Sequence, residues 1–139
     1  MRNRAEFPIL EKCLDLVVWL HGRTQRFPRT LRSGLGLRVE NEVMELYQCL
    51  GEATTVKDRS ALLRSASRQL DGLRRTLRVC LGLKLLTFKQ FGYASGLIDE
   101  IGRMLGGWLR KESGQPKKEG RAKASIPRRG VGEPALEPV

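Results

Sequence analysis

The chain has 139 residues, the length of one domain with a single core. Its formal net charge is +11 at pH 7, an excess beyond what solubility needs, which points to nucleic acid, an acidic membrane surface or an acidic protein as partner. Aromatic residues make up only 6%, which weighs against a chain built to stack single-stranded bases on aromatic platforms.

Apolar residues recurring at steps of three and four predict four helices. The first covers about Ala5 to Gly22, with Leu10, Cys13, Val17 and Leu20 on one stripe. Phe27-Pro28 interrupts it, because proline disfavours the α region at the residue before it. Pro28-Arg29-Thr30 then opens the second helix, whose stripe is Leu35, Val39, Val43, Leu46, Leu50 and Ala53. Gly34 and Gly36 weaken its first turns. The stretch from Gly51 to Asp58 holds the next turn. The third helix runs from about Asp58, the expected N-cap, to Leu86, on the stripe Leu63, Ala66, Leu70, Leu73, Leu77 and Cys80.

The fourth helix runs from Thr87, a second expected cap, to about Lys111, with Ile98, Ile101, Leu105 and Trp108 inward. Glycines recur on it at four-residue steps, Gly92 with Gly96 and Gly102 with Gly106. Each costs roughly 1 kcal/mol against alanine, which predicts a close backbone approach there. Short connections make sequential helices antiparallel. The expected architecture is an all-α, antiparallel up-down four-helix bundle over residues 1–113. From Gly114 to Val139 glycine, proline and charged residues dominate, which predicts a disordered basic tail.

No stretch approaches the roughly 20 apolar residues of a membrane span. Glu11, Lys12 and Asp15 break up any N-terminal apolar run, so neither a span nor a signal peptide is expected, and the expected location is cytoplasmic.

Enzymatic signatures are missing. Gly34-Leu35-Gly36 lacks the third glycine, the preceding strand and the lysine of a phosphate loop. The Glu-x-x-His repeats of di-iron bundles are absent, and Asp99-Glu100 reads as solvated helix surface. Cys13, Cys49 and Cys80 fall among apolar residues without clip spacing, and His21 is the only histidine, so neither metal nor cofactor is expected.

The basic residues are segregated. Arg64, Arg68, Arg75 and Arg78 share one face of the third helix, away from its apolar stripe, with Arg74 beside them. Arg23, Arg26, Arg29 and Arg32 surround the first connection, and Arg110 and Lys111 close the fourth helix. Either these residues form a polyanion-binding face, for which arginine suits bidentate phosphate contact, or they are a solvated surface. The end of the third helix, Leu77 through Leu86, is apolar nearly all round. Such a helix must be buried by something, either a second copy of the chain or its own loops with Phe88 and Phe91.

The segment Ser95 to Lys111, with Leu97-Ile-Asp-Glu-Ile-Gly-Arg-Met-Leu-Gly-Gly-Trp108 at its centre, resembles the last helix of the accessory variability determinant (Avd) proteins of diversity-generating retroelements. It is also similar to the related four-helix-bundle proteins encoded within ribosomal RNA intervening sequences. Phe27-Pro-Arg29 and Leu70-Asp-Gly-Leu-Arg-Arg-Thr-Leu-Arg78 extend the resemblance, which covers roughly Leu10 to Lys111. The Gly/Pro-rich tail and the Gly34/Gly36 pair depart from that pattern. The resemblance implies a non-enzymatic, positively charged homopentamer that binds a reverse transcriptase together with RNA and DNA, in support of error-prone copying of template-repeat RNA. The alternative it leaves is an intervening-sequence protein without a polymerase partner. On this reading nucleic acid meets Arg64, Arg68, Arg74, Arg75, Arg78, Arg23, Arg26, Arg29, Arg110 and Lys111. Copies meet through Leu77, Leu81, Leu83, Gly102, Gly106 and Trp108.

Overall fold

The computed structural model describes residues 7–114. Four long helices, α1 (Pro8–Thr24), α2 (Leu37–Ala53), α3 (Ser60–Gly82) and α4 (Phe88–Ser113), form an antiparallel up-down bundle. Each packs against its sequence neighbours, and α4 closes the bundle against α1. The expected all-α class holds; the tail from residue 115 onward lies outside the described residues.

Pro8 sits at the first turn of α1, where its missing N–H is no loss. The helix runs past Gly22 to Thr24, two residues beyond the expected end, because nothing at Gly22 requires the backbone to turn. The chain reverses instead at Phe27, whose ring is buried, and at extended Pro28. A single turn at Arg29–Leu31 leads into a π-helical turn at Arg32–Gly36 before α2 begins. The glycine pair has its explanation here. Gly36 is buried, and a β-carbon on it would stand 3.4 Å from both the Leu31 carbonyl and the Phe27 ring. The widened turn thus passes close under Phe27.

The largest departure from expectation is at the end of α3. The apolar run Leu81–Leu86 suggests a continuing helix, but the helix stops at Gly82. Lys84 takes the left-handed conformation, with φ 63°. The Leu85 N–H donates to the Cys80 carbonyl (2.9 Å) and the Lys84 N–H to that of Leu81 (3.0 Å). This is the Schellman pattern, in which a residue with positive φ lets the chain satisfy the last free carbonyls. At the other end Arg59, not Asp58, occupies the cap position of α3, and no side chain caps it. For α4 the expected cap is present: the Gln90 N–H donates to Thr87 Oγ1, and the Thr87 N–H to Gln90 Oε1, both at 3.0 Å.

The core is aliphatic: Leu16, Leu20, Val39, Val43, Leu46, Leu50, Leu63, Leu73, Leu77, Ile98, Ile101 and Leu105 are essentially sealed from solvent. Cys13, Cys49 and Cys80 are buried among them as free thiols. Burial pushes the Cys13 thiol up to about 12 and the Cys80 thiol up to about 11, the nearby Glu42 adding to the second. Cys49 is raised by burial and then by Glu52. Among the described residues no three His, Cys, Asp or Glu side chains gather as a metal site requires, and no helix is long and apolar enough to cross a membrane.

Candidate nucleic-acid interface

The antiparallel topology decides which basic residues share a surface. The end of α1, the start of α2, the α3–α4 turn and the start of α4 all meet at one end of the bundle. That end collects Arg26, Arg29, Arg32, Arg78, Lys84 and Lys89, all exposed, with Arg23 half-buried among them. Along the outer face of α3, Arg75, Arg68 and Arg64 continue from it in a row. From Arg64 to Arg78 the row is about 21 Å long at 1.5 Å per residue. None of its four arginines makes an ion pair or hydrogen bond with a described residue, so they stand as free guanidinium groups.

The carboxylates at this end are already engaged. Glu40, in the first turn of α2, accepts from Thr24 Oγ1, from Gln25 Nε2 (3.2 Å) and from His21 Nδ1 (3.1 Å). One carboxylate thereby fastens the end of α1 to the start of α2, at a helix N-terminus that favours negative charge. Glu42 is held by Arg38 at 2.9 Å.

Arg74 behaves differently from its neighbours. It turns into the groove between α3 and α4, where Nη1 donates to Asp99 at 2.6 Å and Nε lies 3.8 Å from Asp71. Half-buried and twice paired, it joins the two helices, unlike the free guanidinium groups of the row. Asp99, exposed on the helix surface as expected, is that bridge's acceptor. Arg110 and Lys111 are exposed in the last turn of α4, so they lie at the opposite end of the bundle from the first connection. Arg110 folds back over bare backbone, its Nη1 only 3.8 Å from where a β-carbon on Gly106 would be. The sequence-predicted basic residues therefore divide between a continuous arm-and-cap surface and a separate pair.

The residues expected between copies also separate. Leu77 is 1% exposed and belongs to the protomer's own core. It faces inward on the same stripe as Leu73 and Cys80, so it is not available to a second chain. Gly102 provides no close backbone approach: a β-carbon there would meet only the side-chain ends of Arg74 and Leu70 of the same chain, at 3.4 Å and 3.5 Å, ordinary contact distances. Gly92 and Gly96 have nothing near them and provide none. Gly106 is half-buried beneath Arg110, and Trp108 is half-buried against Phe7, with ring centroids 5.7 Å apart, and under Arg59 at 5.5 Å. Leu81 is half-buried. Leu83 is 56% exposed, with Val79 one turn before it at 51% and Phe88 across the turn at 81%. Around the α3–α4 turn the large exposed apolar side chains are thus Val79, Leu83 and Phe88, while Leu77 and Leu86 are buried and Leu81 and Leu85 half-buried within the chain.

One arrangement at the basic end was not read from the sequence. Trp19 of α1 and Tyr93 of α4 meet with ring centroids 5.0 Å apart, and Arg23 lies 5.9 Å from the Trp19 ring centre. The signal was there in two (i, i+4) pairs, Trp19 with Arg23 and Lys89 with Tyr93, but only the α1–α4 contact puts them side by side.

Among curated proteins none matches the chain. The bAvd-like family matches it over residues 7–112, which takes in all four helices and the basic end they build. The chain belongs to the bAvd-like family, that of Avd-like accessory proteins.

Proposed function

We propose that this protein is a non-enzymatic accessory factor of a diversity-generating retroelement. It binds template-repeat RNA, and DNA, on its basic surface while engaging the reverse transcriptase, and so supports mutagenic cDNA synthesis. The observation that carries the reading is the unneutralised arginine row Arg64–Arg78 running into a bundle end whose carboxylates are already occupied. Such a surface attracts a polyanion chiefly by releasing condensed counterions, with little reading of base sequence. Family membership supports the accessory role and the absence of chemistry of its own.

The protein works on this reading as a homo-oligomer, a pentamer by analogy with the family, whose copies multiply the basic surface. The exposed trio Val79, Leu83 and Phe88 supplies the apolar contact such an assembly needs.

Two measurements test the proposal. Equilibrium binding of unrelated RNAs across salt concentrations is expected to give similar affinities and a steep log–log salt dependence. Co-expression with the reverse transcriptase of a neighbouring gene is expected to yield a copurifying complex. Salt-insensitive or absent RNA binding sinks the basic-surface reading. RNA binding with no polymerase in the complex favours the intervening-sequence type of bundle instead.

A further inference from the structure

We infer that the Trp19–Tyr93 pair is a stacking site for an unpaired base of a single-stranded nucleic acid, with Arg23 and Lys89 on the flanking phosphates. The inference rests on the nucleic-acid reading above and adds to it a defined contact and a preference for single strands. An all-electrostatic face would have no such preference.

The geometry has several independent parts. Tyr93 is 52% exposed although it touches Trp19, so much of the phenol ring faces solvent. The two rings are inclined at 46° to each other and form an angled surface in the groove between α1 and α4. The α4 backbone on either side is bare: β-carbons on Gly92 and Gly96 would meet nothing within 4 Å. A flat ligand can therefore approach Tyr93 without displacing a side chain. Neither the Trp19 indole N–H nor the Tyr93 hydroxyl has a hydrogen-bond partner among the described residues, so no polar contact within the chain holds either ring against a ligand.

Charge is placed to match. Arg23 lies over Trp19, and Lys89 stands one helical turn before Tyr93 on the same side of α4. Both lie toward the basic end, continuous with Arg26 and Arg29. One acid, exposed Asp15, stands a helical turn before Trp19 on α1, on the side away from Arg23, and Glu100 further down α4 faces Lys12 at 3.5 Å. Aromatic rings edged by cations, with a phosphate-binding surface adjoining, are what a strand with splayed bases requires. A duplex, whose bases are stacked on each other, cannot use the rings. The low aromatic content of the chain argues against many such platforms, not against one placed where the charge converges.

The test uses the full chain and three fluorescein-labelled probes: oligouridylate, oligothymidylate and an RNA duplex of equal length. Tyr93→Leu is expected to weaken single-strand binding by at least about fivefold, the low end for loss of one base–aromatic stack, and to leave duplex binding unchanged. Tyr93→Phe keeps the ring and is expected to bind all probes within about twofold of the native chain. In a Trp108→Phe background Trp19 is the sole tryptophan, and its fluorescence is expected to be quenched by the single strands and not by the duplex. A response with either oligomer supports the site, and the pair shows which sugar backbone it takes. Equal loss of single-strand and duplex binding on Tyr93→Leu, or no loss and no quenching, overturns the stacking site while leaving the basic-surface reading intact. Failure of the native chain to bind any probe overturns both.

Discussion

Replacing Arg64, Arg68, Arg75 and Arg78 together with glutamine isolates the charge of the α3 row. All four are exposed on one outer face and make no contact that holds the bundle together. Glutamine has nearly the helix propensity of arginine, so the fold is expected to survive with a stability change within about 0.5 kcal/mol. The row is about 21 Å long, and a duplex carries one phosphate per about 1.7 Å of axis, so each guanidinium can find a phosphate. With roughly 0.7 to 0.9 of log–log salt slope per contact, losing four flattens the slope by about 3. That corresponds to about a thousandfold weaker binding at 0.1 M salt, a gap that closes toward 1 M. Fluorescence anisotropy with several unrelated RNAs between 0.05 and about 0.5 M salt reads both quantities, with circular dichroism as the folding control. A folded variant whose slope and affinity equal the native values would refute the assignment. The phosphates would then have to be sought at Arg23, Arg26, Arg29 and Arg32.

The other expectations are more local. Lys84→Gly relieves a left-handed residue and is expected to stabilise the bundle by about 1 kcal/mol in thermal or urea unfolding; a loss of stability would mean that the lysine side chain contributes more than its backbone costs. Leu83→Glu places a charge in the exposed apolar trio and is expected to reduce a multimeric mass, read by light scattering, toward the 15.7 kDa of one chain without loss of helicity; a monomeric native protein would remove the homo-oligomer from the proposal. The thiols of Cys13 and Cys80 hold their protons in the fold well above the ordinary value of 9.0, to about 12 and about 11. Below that ordinary value both states are protonated and the linkage is silent. Above it the unfolded chain ionises first, so stability falls as pH rises from 9 toward the folded values. Urea unfolding at pH 8 and 10 is expected to show a steeper decline for the native chain than for Cys13→Ala; equal declines would sink this attribution.

How far the sequence reaches depends on the range of the interaction involved. The four helices, their inward stripes and the break at Phe27-Pro28 are legible because amphipathic periodicity and proline sterics act within a few residues. The Thr87 cap is equally local, since donor and acceptor lie three residues apart. Tertiary packing decided the rest. A leucine run such as Leu81–Leu86 suits a longer helix, and only the need to bring α4 back against α3 stops it at Gly82 and forces Lys84 across to positive φ. A helical stripe also does not say which of its flanks meets which neighbour. That choice sent Arg74 into the α3–α4 groove toward Asp99, turned Leu77 inward while leaving Val79 and Leu83 in solvent, and brought Trp19 to Tyr93 across 74 positions of sequence. The sequence by itself determined that this is a basic helical bundle; which arginines are free to meet a polyanion depended on which carboxylates the folded chain brings within hydrogen-bonding distance of them.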